Sequence, residues 1–174
     1  LFVITADHSA LTSQKEFKTQ LGLFKIPMIV FHPGLKQGVI SDRIMQQIDV
    51  YPTVADLIHL EDDIFCFGHS AFSSEHDFYI YYTNGEYLLL SDGYLSKYKD
   101  GYPIELYDTK KDEGLKQDIA GQDKERAKKH QRLTEAIIQQ YNGNIISNST
   151  HPWKRNEKED IIQVSTGDIF REEI

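Results

Sequence analysis

The chain has 174 residues, 40% hydrophobic and 11% aromatic, enough for a domain with its own core and unlike the composition of a disordered polymer. Nineteen basic residues against 27 acidic ones leave a net charge of −8, which argues against a nucleic-acid surface, where clustered Lys and Arg displace phosphate counterions. An anionic ester is not excluded as substrate, because a bound divalent cation can reverse the sign of the local field.

Residues 1–5, Leu1-Phe2-Val3-Ile4-Thr5, form an apolar run that reads as a strand covered on both faces, as inside a parallel sheet. A chain that opens on such a strand, with no Met before it and few candidates to flank it, is expected to be a fragment of something larger. Any targeting signal or anchor would then lie upstream. The strand ends at Ala6-Asp7-His8, and residues 9–23 are polar without a clean period, a long loop or broken helix. Residues 26–31 form a second apolar strand, stopped by His32-Pro33-Gly34. Within 41–60, Ile44, Met45, Ile48, Val50, Val54, Leu57 and Ile58 recur, and from Tyr51 onward they suggest a helix with Pro52 in its first turn. Strand, loop, strand and helix in that order suit an α/β sheet, which takes residues 1–74. The single cysteine, Cys66, lies in Ile64-Phe65-Cys66-Phe67 and reads as a buried structural thiol.

The character changes near residue 75. Strand-like runs at 78–82 and 86–90 flank Thr83-Asn84-Gly85, a hairpin signal. Runs at 94–98 and 104–107 follow the turns Ser91-Asp92-Gly93 and Asp100-Gly101, which makes an antiparallel meander, polar on one face and rich in tyrosine. Its tyrosines read as packing residues with wet hydroxyls rather than as a sugar platform. Residues 123–141 form a long charged helix with a partial apolar stripe of Ala127, Leu133, Ile137 and Tyr141, packed on the meander to give a second unit, 75–141. Residues 142–174 are a polar tail of no assigned structure, with an apolar pair at Ile161-Ile162 and a formal glycosylation sequon at Asn148-Ser149-Thr150. No apolar stretch reaches the roughly 20 residues that span a bilayer, and no charged region leading into an apolar core marks a signal peptide.

The strongest local chemical signal is Ile4-Thr5-Ala6-Asp7-His8-Ser9. A carboxylate and an imidazole at the C-terminal end of a parallel strand sit where open α/β sheets gather ligands. As the chain turns away from the sheet both side chains can reach one ion. Asp oxygen with His nitrogen suits Zn²⁺ or Mn²⁺ better than Ca²⁺. The plainer alternative is a strand-end Asp that caps the following loop, with His8 simply exposed, and spacing alone leaves both open.

The segment Ile4-Thr5-Ala6-Asp7-His8-Ser9 resembles the "TxDH" metal motif of sulfatases, phosphoglycerol transferases and lipoteichoic acid synthases of the alkaline phosphatase superfamily. Lys25-Ile26-Pro27-Met28-Ile29-Val30-Phe31-His32-Pro33-Gly34 resembles their "(R/K)-(V/I)-P-L-I-(I/V)-x-x-P-G" strand. Gln47-Ile48-Asp49-Val50-Tyr51-Pro52-Thr53-Val54 is similar to their "Q-(V/I)-D-(I/V)-x-P-T" helix start, and Phe67-Gly68-His69-Ser70 to the "F-G-x-(S/D)" that follows. Glu105-Leu106-Tyr107-Asp108 with Lys111-Asp112-Glu113-Gly114 resembles the "E-L-Y-D-x-x-x-D-P-x-E" segment before their last helix. Five motifs in order over residues 1–141 point to the lipoteichoic acid synthase-like branch more than to the arylsulfatases.

The resemblance implies the C-terminal part of an alkaline phosphatase-like sheet with helices, followed by the small antiparallel meander and the long C-terminal helix. It implies Asp7 and His8 as metal ligands, with Mn²⁺ favoured and Zn²⁺, Mg²⁺ or Ca²⁺ as alternatives. The Thr, Ser or formylglycine nucleophile and a further carboxylate ligand lie upstream in these families, so no catalytic nucleophile is assigned here, Thr5 included. His32 is a candidate for holding a phosphate or sulfate oxygen, against the plainer reading of a turn histidine bonded to backbone. Asp49 reads as holding the helix start through backbone N–H groups, and His59 and His69 as structural or exposed. The implied chemistry is metal-assisted transfer from a sulfate or phosphate ester through a covalent intermediate, to water or to a second alcohol. The chain alone is then expected to be inactive, to need the upstream part of the same polypeptide, and to self-associate through its exposed first strand. An extracytoplasmic, membrane-anchored whole protein is implied, with no nucleic-acid partner. The competing expectation is a non-catalytic cell-envelope binding or assembly module that keeps the fold.

Overall fold

The computed structural model describes residues 1–9, 13–34, 43–73 and 78–151. Strands Phe2–Thr5 (β1) and Met28–Phe31 (β2) pair antiparallel, with Phe2 opposite Phe31 and Thr5 opposite Met28. This corrects the expected covered parallel sheet: among the described residues β2 is the sole neighbour of β1 and runs the opposite way. Side chains alternate across a strand, so Phe2, Ile4, Ile29 and Phe31 share one face of the ribbon. That face is open, with Ile29 at 52% and Phe2 at 62% exposure as its extremes. The apolar pattern records which faces favour cover, and the described residues do not supply it there.

Between β1 and β2 lie two short tight turns of helix, Lys15–Lys18 and Gly22–Phe24, in place of one continuous element. A third, Gln47–Asp49, leads into helix Val50–Leu57 (α1). Pro52 sits in the first turn of α1, where its missing N–H leaves no helical bond unmade.

The larger sheet is a meander of Phe78–Thr83 (β3), Glu86–Ser91 (β4), Tyr94–Tyr98 (β5) and Glu105–Asp108 (β6), antiparallel throughout and in sequence order. Its first two turns each place both central residues at positive φ: Asn84 at 50° and Gly85 at 82°, then Asp92 at 52° and Gly93 at 79°. Asn-Gly and Asp-Gly tolerate this conformation, and its twist matches that of the strands it joins. Helix Lys124–Ile146 (α2) is capped by Asp123, whose carboxylate accepts the Arg126 N–H. The helix continues five residues past the expected end at 141. Residues 152–174, with Ile161-Ile162, lie outside the described residues.

α2 covers one face of the meander, where Phe78, Leu89 and Leu133 form a buried cluster flanked by Ile80 and Ile137. The opposite face is not polar as the sequence suggests. Leu88, Leu95 and Tyr107 are buried there, and the Phe24 ring lies 4.2 Å from that of Tyr81. Further links join the α1 region to the meander and α2: Ile80 N–H donates to Gln46 Oε1 at 3.2 Å, and the Phe67 ring stands 4.8 Å from that of Tyr141. The described residues make a mixed α and β fold with two antiparallel sheets. Among the described residues no helix is long and apolar enough to cross a membrane.

Candidate functional site

The chain leaves β1 at Thr5, and Asp7 and His8 follow with side chains 87% and 71% exposed. Asp7 Oδ1 accepts the His8 backbone N–H at 2.9 Å, so part of this carboxylate does cap the loop. His8 Nδ1 lies 2.9 Å from the Ser9 carbonyl oxygen. A carbonyl only accepts, so Nδ1 carries the proton, and in the neutral ring the lone pair is on Nε2. Nε2 faces Asp7 Oδ2 at 3.6 Å. Two ligands of one Zn²⁺-like ion, each about 2.1 Å from it, stand about 3.4 Å apart at the tetrahedral angle, so this oxygen and nitrogen fit a shared cation. A backbone carbonyl on the other ring nitrogen is also how metal-binding histidines have their tautomer set. Among the described residues no three His, Cys, Asp or Glu gather into a metal group.

Neighbouring elements hold this loop on both flanks. After His8, the Ser9 hydroxyl donates to the Leu23 carbonyl at 2.8 Å. Before Asp7, the Gln47 side-chain amide donates to the Ala6 carbonyl at 2.8 Å. Gln47 is placed in turn by the buried Asp49, whose carboxylate accepts the N–H groups of Gln46 at 2.8 Å and His69 at 3.0 Å. The Thr53 hydroxyl donates to the Asp49 carbonyl and accepts the Ala71 N–H at 2.9 Å. Gly68 lets the second segment come this close, since a Cβ there would lie 2.3 Å from the Ile48 carbonyl oxygen. Asp49 thus holds backbone N–H groups as expected, but those of Gln46 and His69; its side chain makes no cap bond to the first turn of α1.

His32 is not brought to Asp7 and His8. The pairing puts Asp7 and His8 beyond the Met28 end of the ribbon and His32 beyond the Phe2 end, and Met28 and His32 alone are about 13 Å apart along the strand. His32 Nδ1 accepts the Gly34 N–H at 3.0 Å, the turn arrangement of the plainer reading. His59 is exposed at φ 53°. The His69 ring is half-buried, 5.7 Å from that of Phe78 and with Nδ1 3.8 Å from Asp49 Oδ1. Cys66 is half-buried rather than buried, and its thiol donates to the Gly68 carbonyl.

Two residues carry roles that sequence reading misses. Gln47 reaches a carbonyl 41 residues away, and no local pattern announces such a bond. His130 is 2% exposed beneath α2, with Nδ1 3.1 Å from the Ser96 hydroxyl, and burial depresses its pKa to about 4. Its place three residues after Ala127 on the helix stripe is the signal that could have found it.

No protein-family model, curated protein or solved structure matches the chain.

Proposed function

We propose that this chain is the C-terminal part of a metal-dependent sulfate- or phosphate-ester hydrolase or phosphotransferase of the alkaline phosphatase superfamily. In this reading residues 1–74 complete an alkaline phosphatase-like core, Asp7 and His8 supply two metal ligands, and the nucleophile comes from upstream residues. One observation carries it: the His8 ring, its Nδ1 bound to the Ser9 carbonyl, faces the Asp7 carboxylate with Nε2 at 3.6 Å. A second supports it. Four of the five motifs of the resemblance meet in space, through the β1–β2 pairing, the Gln47–Ala6 bond and the Asp49–His69 bond.

A bound cation, Mn²⁺ by preference, would polarise the ester and lower the pKa of the attacking hydroxyl. The residues of this chain then have defined tasks. Asp7 contributes a hard, negatively charged oxygen and lowers the net positive charge of the site. His8 contributes a neutral nitrogen, and the Ser9 carbonyl keeps it in the tautomer that can ligate. His32 is set apart from this pair and carries no step; if it meets an anion, it does so elsewhere on the ester. Anchoring of the whole protein at the outer face of a membrane belongs to the same proposal.

The test uses the polypeptide that carries this chain together with its upstream residues. Asp7→Ala and His8→Ala should each abolish turnover of an aryl phosphate or aryl sulfate with the far-UV circular dichroism unchanged. Full activity in either variant contradicts the ligand assignment, whereas no turnover in the wild type leaves the non-catalytic module.

A further inference from the structure

We infer that Gln47 is the positioning residue of the Asp7–His8 pair, an inference that rests on the metal reading above and assigns what holds that pair in place. The Ala6 carbonyl that accepts the Gln47 amide at 2.8 Å belongs to the same planar peptide as the Asp7 nitrogen. Fixing that oxygen fixes the plane from which the Asp7 side chain departs. Without it, the loop is held on the far side by the Ser9–Leu23 bonds, at 2.8 Å from the hydroxyl and 3.4 Å from the amide. Asp7 and His8 are themselves highly exposed, and among the described residues their side chains bond only within 7–9, so little else there sets their direction.

Gln47 can serve this way because its own backbone is not free to move. It opens the short turn Gln47–Asp49, whose last residue is 1% exposed and anchored to two N–H groups from separate segments. The direction of the support therefore runs from the buried Asp49 through the turn to Gln47, and from Gln47 to the peptide before Asp7. An amide suits the task. It donates to a carbonyl and brings no charge next to a cation site, whereas a Lys would repel the ion and a Glu could not donate.

The test compares wild type, Gln47→Leu, Gln47→Lys and Asp7→Ala in the 174-residue chain, using Mn²⁺ alone as the probe. Two measurements are made: line broadening of the Asp7 and His8 amide signals on Mn²⁺ titration, and their heteronuclear NOEs without metal. In Gln47→Leu the Mn²⁺ affinity should fall about two- to tenfold, the range of one hydrogen bond. The Asp7 and His8 amides should become more mobile without metal, and the thermal midpoint should stay put because the Asp49 contacts are untouched. Gln47→Lys, which restores a donor, should recover the loop order but not the Mn²⁺ affinity. Unchanged affinity and loop order in Gln47→Leu, with binding lost in Asp7→Ala, overturn the positioning role and leave the ligand assignment standing. Unchanged affinity in Asp7→Ala removes the ligand assignment, and this inference with it.

Discussion

Asp49 and His69 stand 20 residues apart in sequence, yet the buried Asp49 carboxylate accepts the His69 N–H at 3.0 Å. The same carboxylate accepts the Gln46 N–H at 2.8 Å, so one side chain at 1% exposure ties two loops to the start of α1. Asp49→Asn keeps the shape but turns an NH₂ group toward one of these donors. Hydrogen bonds to a charged group are worth about 1.5–3 kcal/mol, and one of the two would be lost outright. Urea unfolding should show the unfolding free energy lowered by that amount, as a lower midpoint with the slope unchanged. An unchanged midpoint would mean that the tie carries no stability.

His130 predicts how stability depends on pH. Burial under α2 lowers its pKa from 6.5 to about 4, with Asp92 and Asp123 opposing that shift and Lys129 and Arg126 reinforcing it. The unfolded chain therefore binds a proton that the folded chain refuses between those values. Stability is complete above pH 6.5, falls as the pH drops toward 4, and levels off below that. At pH 5 the loss from this group should be about 2 kcal/mol relative to pH 8. Urea midpoints at the two pH values should differ accordingly in wild type and by much less in His130→Gln. Equal pH dependence in both proteins would mean that His130 is not the group responsible.

The ribbon face of Phe2, Ile4, Ile29 and Phe31 should cause self-association. Among the described residues this two-stranded ribbon has both edges unpaired and one apolar face open as well. In sedimentation velocity the wild-type chain should form dimers or larger species as concentration rises. Ile29→Lys with Phe31→Lys, both on that face, should shift it to monomer. A wild-type chain that remains monomeric at high concentration would show that this face does not drive association.

The parts of the fold that read correctly from sequence are those set by local backbone chemistry. Asn84-Gly85 and Asp92-Gly93 dictate their turns because few other pairs accept two successive positive φ values. Asp123 marks the start of α2 because its carboxylate meets an otherwise unpaired N–H of the first turn. The direction of β2 against β1 is not legible. Both are four-residue apolar strands, and nothing in Met28-Ile29-Val30-Phe31 distinguishes a parallel partner from an antiparallel one. That direction decides where His32 lies: the sequence puts Asp7 and His8 side by side after β1, but it does not show that His32 falls at the other end of the ribbon. The polar face expected of the meander fails for a related reason: Tyr107 is buried, Tyr79 and Tyr81 are half-buried, and their rings count as apolar once packed. For Tyr79, burial beside Tyr81 pushes the hydroxyl pKa up to about 12, so it stays neutral at ordinary pH.

The central claim is that Asp7 and His8 hold a divalent cation. The most direct measurement is metal content by elemental analysis of the polypeptide that carries this chain with its upstream residues, prepared in parallel as wild type and as Asp7→Ala. Each first-layer ligand removed from a site of about four protein ligands should cost orders of magnitude in affinity. The predicted result is near-stoichiometric Mn²⁺ or Zn²⁺ in wild type and less than about a tenth of that in Asp7→Ala, with both proteins folded. Equal metal content in the two proteins would contradict the ligand assignment and remove the main support for an ester-transfer enzyme.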